Sequence, residues 1–409
     1  MGFLDELRGA LSLGANIRAL TLRALVTEAC FGMFYVVWQP FLLDLGSTLP
    51  QLGLVQGVMT LFAAVGSLLW GRIADVYGRK PAIVASVLCR LVSLFFCVSA
   101  RSWVSFIGFG AFMGLSATWQ QTNPAVSALV SESVGEERVG TAMSVIMSLG
   151  MMASISTASL GGYLALNDGY GIIFTSCIAG ELLNTVLLTL GVNETLVDRR
   201  RPKETGSLFD GLRSFLSIER GLLPLYVVSI LGTVSYGMSN SILYGLLVDS
   251  LGFNTVQLGL MSTVFGLSWG LSQIPVGSLM DRHGRKLFMI LSQASSIVVM
   301  LGYILFRDFG VFLVLQAISG LGHAMWVPAY IAVATSHVPA ERRSLAMGKL
   351  STLPLLLGIP APLIGGLVYE ALGFGAPLII RLFALLASAL VIFIFVKERR
   401  EGAPQQGPG

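Results

Sequence analysis

The sequence predicts an all-α membrane protein, twelve transmembrane helices in two pseudo-symmetric six-helix halves. Three observations lead there. Of 409 residues, 54% are hydrophobic and only 12% charged, whereas a soluble domain keeps about a quarter charged; too little polar surface remains to coat a globule in water. The apolar residues gather into runs of about 20, the length that spans a bilayer as a helix. Landmarks in the first half recur in the second at a nearly fixed spacing. Because the runs are unbroken rather than alternating, they select helices over a barrel.

The first six spans read 19–43, 51–72, 81–99, 103–130, 139–166 and 170–192. The second six read 222–249, 256–279, 287–306, 309–336, 344–369 and 376–396. Ahead of them, residues 1–17 carry Asp5, Glu6 and Arg8, with Leu4, Leu7 and Leu11 on one face. That pattern suits a helix lying on the membrane surface, not a cleavable signal peptide. Residues 1–192 form the expected N-terminal bundle and 222–400 the C-terminal one. Between them, 193–221 is a polar linker with Asp198, Arg199, Arg200, Arg201, Lys203 and Glu204. Its later part sets Leu208, Leu212, Phe215 and Leu216 on one face of a second interfacial helix. The Gly/Pro/Gln-rich tail, 401–409, is expected to be disordered. Prolines at 40, 124, 275, 328, 354, 360 and 362 interrupt spans and are expected to bend them.

Charge fixes the expected orientation. All Lys and Arg except four lie at span ends and loops on the side of the N-terminus; Arg90 and Arg381 fall inside spans, and Arg101 and Arg307 on the far side. By the positive-inside rule both termini are cytoplasmic, in a multi-pass protein of the plasma or inner membrane. The Asn193-Glu194-Thr195 sequon then falls in the cytoplasm and is a chance match. A net charge of +4 needs no nucleic acid to explain it. Cys30, Cys89, Cys97 and Cys177 all sit in spans and read as small packing residues.

Enzyme motifs fail on context. Gly266-Leu-Ser-Trp-Gly270 matches GxSxG but lies within a span, where it reads as helix packing and not as a nucleophile elbow. No GxxxxGK[ST] loop is present, so nucleotide drive is not expected. His283, His323 and His337 are too scattered for a metal site. Neither an enzyme nor a cofactor is expected.

The halves repeat. LGSTLPQLGL at 45–54 pairs with LGFNTVQLGL at 251–260, six of ten identical at an offset of 206. At the same offset GRIADVYGRK (71–80) pairs with GSLMDRHGRK (277–286), five of ten identical. Pro124 and Gly161-Gly162 pair with Pro328 and Gly365-Gly366 at an offset of 204. Parallel duplication of six-span units is an arrangement found in transporters.

On these residues the sequence resembles the major facilitator superfamily of secondary transporters. The carrying motif is Gly71, Asp75, Gly78, Arg79 and Lys80 between spans 2 and 3, echoed by Gly277, Asp281, Gly284, Arg285 and Lys286 between spans 8 and 9. Gly71 allows close helix approach, Gly78 a tight turn, and Arg79 can pair with Asp75. The resemblance implies that Asp75 meets the start of span 11 as a gating latch between the halves. It also implies that spans 1, 4, 7 and 10 line a central cavity. Candidates there are Glu28, Tyr35, Trp38 and Gln39; Trp119, Gln120 and Asn123; Tyr236, Asn240 and Tyr244; and His323, Trp326 and Tyr330. Together they describe a wet, aromatic chamber with few fixed charges. Glu28, an acidic group inside a cavity span, is the expected proton-coupling residue.

Two departures bear on subclass. Proton-coupled exporters often carry Arg in mid-span 4, where this chain has Gly110, and GPxxGG in span 5, where it has Thr157-Ala-Ser-Leu-Gly161-Gly162. The expected function is proton-coupled export of small amphipathic compounds by alternating access; the alternative is uptake or facilitated diffusion of a sugar, organic acid or other small metabolite. Expected partners are the solute, protons and the lipid bilayer, with the chain acting as a monomer.

Overall fold

The computed structural model describes residues 14–117, 123–135, 138–196, 222–338 and 343–396. The surface helix expected near the N-terminus, the amphipathic part of the linker, the tail, Trp119 and Gln120 lie outside these residues. Among those described, every regular element is helical, and each of the twelve expected spans has its counterpart.

The first half runs α1 Ala15–Asp44, α2 Leu49–Tyr77, α3 Arg79–Val98, α4 Ser105–Leu115, α5 Pro124–Ser133, α6 Val139–Asp168 and α7 Tyr170–Gly191. The second runs α8 Leu223–Ser239, α9 Leu243–Leu251, α10 Thr255–His283, α11 Arg285–Leu305 and α12 Phe309–Ser336, then α13 Arg343–Gly358, α14 Ala361–Leu372 and α15 Gly375–Phe395. Nine described helices are long and apolar enough to cross a bilayer on length and composition alone.

Three expected spans are not continuous. Span 4 stops at Leu115, passes Ala117 at φ +52°, and restarts at Pro124 as α5. The α4 end is not left open, since Trp70 Nε1 donates 2.6 Å to the Leu115 carbonyl. At the restart, Asn123 Oδ1 accepts from the Ala125 N–H at 3.0 Å and Pro124 takes a first-turn position that needs no donor. Span 7 passes through a 3-10 turn at Asn240–Ile242. Span 11 breaks between Gly358 and Ala361, where Pro360 cannot continue the ladder. Pro40, Pro275, Pro328 and Pro354 instead sit inside unbroken helices, so those four do not end their elements.

The sequence repeat reappears as repeated stereochemistry. At the start of α2 the Thr48 N–H donates to Gln51 Oε1 at 2.9 Å. At the start of α10 Asn254 and Gln257 cap one another reciprocally at 3.0 and 2.9 Å. Gly78 and Gly284 both take positive φ, +118° and +93°, to turn from one helix into the next.

The chain divides into two compact units. Unit 1 holds residues 1–205 together with 241–263 and 362–370; unit 2 holds 206–240, 264–361 and 371–409. Spans 7, 8 and 11 each contribute residues to both units. The core of unit 1 packs Ile17, Leu20, Trp70, Ile83, Leu129 and Ile146. In unit 2, Tyr226, Met280, Met289, Met325, Val333 and Ile392 pack together. Many large apolar side chains remain exposed, among them Leu190, Ile274, Phe383 and Phe393, as suits a surface solvated by lipid.

Candidate functional site

The loop motif of unit 1 is an ion cluster. Arg79, 12% exposed, pairs through Nη1 with Asp75 Oδ1 and through Nη2 with Glu132 Oε1 at 2.9 Å. Its Nε also donates to Glu132 Oε1 at 3.1 Å, so one guanidinium ties the end of α2 to the end of α5. Asp75 spends only one oxygen on Arg79, and its side chain is 73% exposed. A second acid completes the corner. Glu194 accepts from the Arg79 N–H at 2.9 Å and the Lys80 N–H at 3.0 Å, capping the N-terminus of α3. Next to it, Thr195 Oγ1 donates to Glu132 Oε2 at 2.6 Å.

Both carboxyls are held below the usual range for Glu. For Glu194, burial pushes upward but is outweighed by N–H bonds from Leu196, Arg79, Lys80 and Thr195. For Glu132, burial is likewise outweighed by hydrogen bonds from Arg79 and Thr195 and by the Arg79 charge. Gly78 is required here twice over: its φ is +118°, and a Cβ would run into the Glu194 carboxylate. Gly71 has ordinary room, 3.4 Å from Pro124 Cγ.

Both halves use the motif lysine alike. Lys80 Nζ donates 2.7 Å to the Thr189 carbonyl near the end of α7. Lys286 Nζ donates 2.8 Å to the Phe393 carbonyl near the end of α15 and stands 5.8 Å from that ring's centroid. A cation thus meets the negative end of the last helix of its own half. Gly277 is open, with nothing within 4 Å of an added Cβ; Arg285 begins α11, and the side chain of Asp281 lies outside the described residues.

The expected cavity residues take diverse positions. In unit 1, Glu28 is half-buried beside Gly150, whose added Cβ would come 3.0 Å from Glu28 Cγ, and it has no hydrogen-bond partner among the described residues. Tyr35 is half-buried with Phe31 at 6.2 Å between ring centroids. Trp38 is buried against Phe109 at 6.0 Å, inside the packing rather than at a surface. Gln39 spans α1 to the start of α9, its Nε2 donating to the Ser241 carbonyl and its Oε1 accepting the Gly245 N–H, both at 2.8 Å. Asn123 joins α5 to α3 by donating to Ser86 Oγ at 2.9 Å. Tyr244 is half-buried on α9.

In unit 2, Trp326 and Tyr330 stack at 5.4 Å, and the Tyr330 hydroxyl shares a 2.6 Å hydrogen bond with Ser229 of α8. Both rings are half-buried, so α12 presents a stacked and partly accessible aromatic pair. His323 meets the Trp269 ring edge-on at 4.9 Å and Phe265 at 5.8 Å. Asn240 accepts from Ser239 Oγ at the 3-10 turn. Tyr236 lies under Arg381, whose guanidinium carbon is 4.9 Å from the ring centroid.

A buried polar network also fills unit 1. Arg90 Nη2 donates to Glu181 Oε2 at 2.7 Å, both side chains being almost wholly buried. Asn184 Nδ2 donates to the same oxygen and to Thr27 Oγ1, each at 3.1 Å. Phe31 covers the guanidinium at 5.0 Å. Sequence reasoning misses Glu132, Glu194 and Thr195 because their partners are distant in the chain. Arg90 and Glu181 are visible as rare charges within spans, a signal that marks a pair without identifying it.

A family model, Major Facilitator Superfamily, matches residues 20–236 and 225–409, nearly the whole chain. The chain belongs to the major facilitator superfamily. It is thus a multi-pass membrane protein of a transporter family that carries small molecules. Among its relatives is multidrug resistance protein MdtG of Serratia proteamaculans, 24% identical over 397 residues and covering 94% of each chain. Multi-drug resistance efflux pump PmrA of Streptococcus pneumoniae is 26% identical over 338 residues, covering 79% of this chain and 80% of that one. The crystal structure of nucleoside transporter NupG matches with a TM-score of 0.72 at 14% identity, over 93% of this chain and 98% of that one. At that identity the likeness speaks for the fold alone.

Proposed function

We propose that this protein is a secondary active transporter that exports small amphipathic compounds in exchange for protons, working by alternating access as a monomer with both termini cytoplasmic. The observation that carries the coupling is Glu28, a carboxyl group within a membrane span and without a hydrogen-bond partner among the described residues. A charge in such a place is costly, and a carboxyl can shed that cost by taking up a proton. One proton moving down 100 mV supplies about 2.3 kcal/mol, enough for a solute gradient of about fifty-fold. The names of two relatives, a multidrug resistance protein and an efflux pump, support the outward direction.

Asp75 is the proposed latch. Arg79 holds one of its oxygens while most of the side chain stays exposed, leaving an acceptor for the N–H groups at a helix start. Proteoliposomes test both assignments. Wild type should move at least one fluorescent amphipath from a cationic, neutral and anionic panel in response to an imposed pH gradient. Glu28→Gln should lose the response to the gradient while retaining solute exchange at equilibrium. Transport by Glu28→Gln that still follows the gradient would remove this residue from coupling. Asp75→Asn should change labelling of cysteines placed along α1 and α12, and identical labelling would count against the latch.

A further inference from the structure

We propose that Arg381 anchors an anion subsite within unit 2, and that the solute carried is an amphipathic monoanion: an apolar, preferably aromatic body ending in a carboxylate, sulfonate or phosphate ester. This inference rests on the transport reading and names its substrate class.

Arg381 is the seventh residue of α15, about 9 Å along that helix from its start. Its Nε and Nη1 are buried and have no hydrogen-bond partner among the described residues. The residue as a whole is half-buried, yet two of its three guanidinium nitrogens are shut away from solvent, which full snorkelling to water would not leave. Arg90, by contrast, meets Glu181 at 2.7 Å. Among the described residues no carboxylate pairs with Arg381. A partly buried cation without a counter-charge is a costly arrangement that a structural role does not require, and an intramembrane charge of this kind marks a ligand path.

The groups around it satisfy the face of the guanidinium and not its edge. The Tyr236 ring takes the face at 4.9 Å, while Tyr303 and His323 are the titratable groups nearest on α11 and α12. A face-on aromatic contact stabilises the charge but accepts none of the in-plane N–H donors. Those donors match the planar oxygens of a carboxylate, or two oxygens of a sulfonate or phosphate, better than any neutral group. Tyr236 is 49% exposed, so the ring over the cation is reachable. His323 of α12 and Trp269 of α10 add an edge-on aromatic pair suited to an aromatic body.

Equilibrium binding to purified protein in detergent tests the proposal, with tritiated 2-naphthoate against its neutral isostere 2-naphthamide. Wild type should bind the naphthoate at least about tenfold more tightly. Arg381→Gln should weaken naphthoate binding to the level of the amide and leave the amide within about twofold. Arg381→Lys, which keeps the charge and loses the planar fork, should fall between. Equal affinities in wild type, binding of neither probe, or an anion preference that survives Arg381→Gln would overturn the assignment. If Arg381→Gln does not fold, the wild-type ratio and Arg381→Lys decide instead: an unaltered naphthoate affinity in Arg381→Lys counts against it. Binding needs no gradient, so selective binding without flux would fault the transport reading and not this one.

Discussion

The Arg90–Glu181 pair offers a quantitative test of how unit 1 is held together. Replacing Arg90 by Met leaves Glu181, 0% exposed, with Asn184 as its remaining donor and with Oε1 already lacking a partner. Replacing Glu181 by Leu strands the Arg90 cation against the Phe31 face and the Thr27 hydroxyl. Breaking one side of a buried pair costs about 3–5 kcal/mol, because an uncompensated charge stays inside. Removing both charges together with apolar groups of similar volume is close to neutral. We expect each single variant to lose about 3–5 kcal/mol of unfolding free energy. The double variant should lie within about 1–2 kcal/mol of wild type, several kcal/mol short of the sum. Denaturant titration in mixed micelles, followed by tryptophan fluorescence, reads all four corners of the cycle. Single losses below about 1 kcal/mol, or a double variant that loses the sum, would refute the account of this pair as a buried, mutually compensating unit.

The loop corner yields three further expectations. Gly78→Ala forces a Cβ into both an unfavourable φ and the Glu194 carboxylate, so it should cost about 1–3 kcal/mol in the same titration; a neutral effect would show that the corner relaxes freely. Glu194→Gln should cost about 1 kcal/mol, typical of a weakened helix cap. That cost should depend on pH: the folded carboxyl sits below its unfolded value of about 4.3, so its contribution is present above that value and disappears as pH falls through the folded pKa. The wild-type and Glu194→Gln midpoints should therefore differ by a steady amount from about pH 5 to 8 and converge below about pH 4; a gap that persists at low pH would contradict this. Lys80→Met should release the end of α7, seen as faster amide exchange near Thr189 with exchange in α2 unchanged.

Much of this molecule is legible as sequence because a bilayer restricts the chain so strongly. Apolar runs mark twelve spans, nine described helices are able to cross on length and composition alone, and the doubled GxxxDxxGRK turn points to the family. What is not legible is where helices break and what distant residues meet. Pro124 announces the restart after the Ala117 interruption but not where the helix before it ends, and the Asn240–Ile242 turn is marked only by a short Ser-Asn-Ser stretch. Proline is a poor guide in the other direction, since Pro40, Pro275, Pro328 and Pro354 are carried inside helices. Periodicity puts Trp38 and Gln39 on a common stripe with Glu28, yet Trp38 is packed among aromatic rings and both ends of the Gln39 amide are committed to backbone. A polar or aromatic type at helical spacing identifies a face; it does not say whether water, lipid or another helix lies against it. The Glu132 and Glu194 contacts join residues 53 and 115 positions from Arg79, beyond any pattern local to the loop.

The paired lysines have a consequence for how such a chain is assembled. Lys80 secures α7 and Lys286 secures α15, each bond closing the ring of helices within its own sequence repeat. Neither lysine bond involves a residue of the other repeat; the start of the connecting segment, Glu194 and Thr195, is likewise tied into the first repeat. A gene cut farther along that segment and expressed as two fragments would hand each fragment its own fastening, and reassembly in the membrane would then be a matter of two prefastened pieces finding one another.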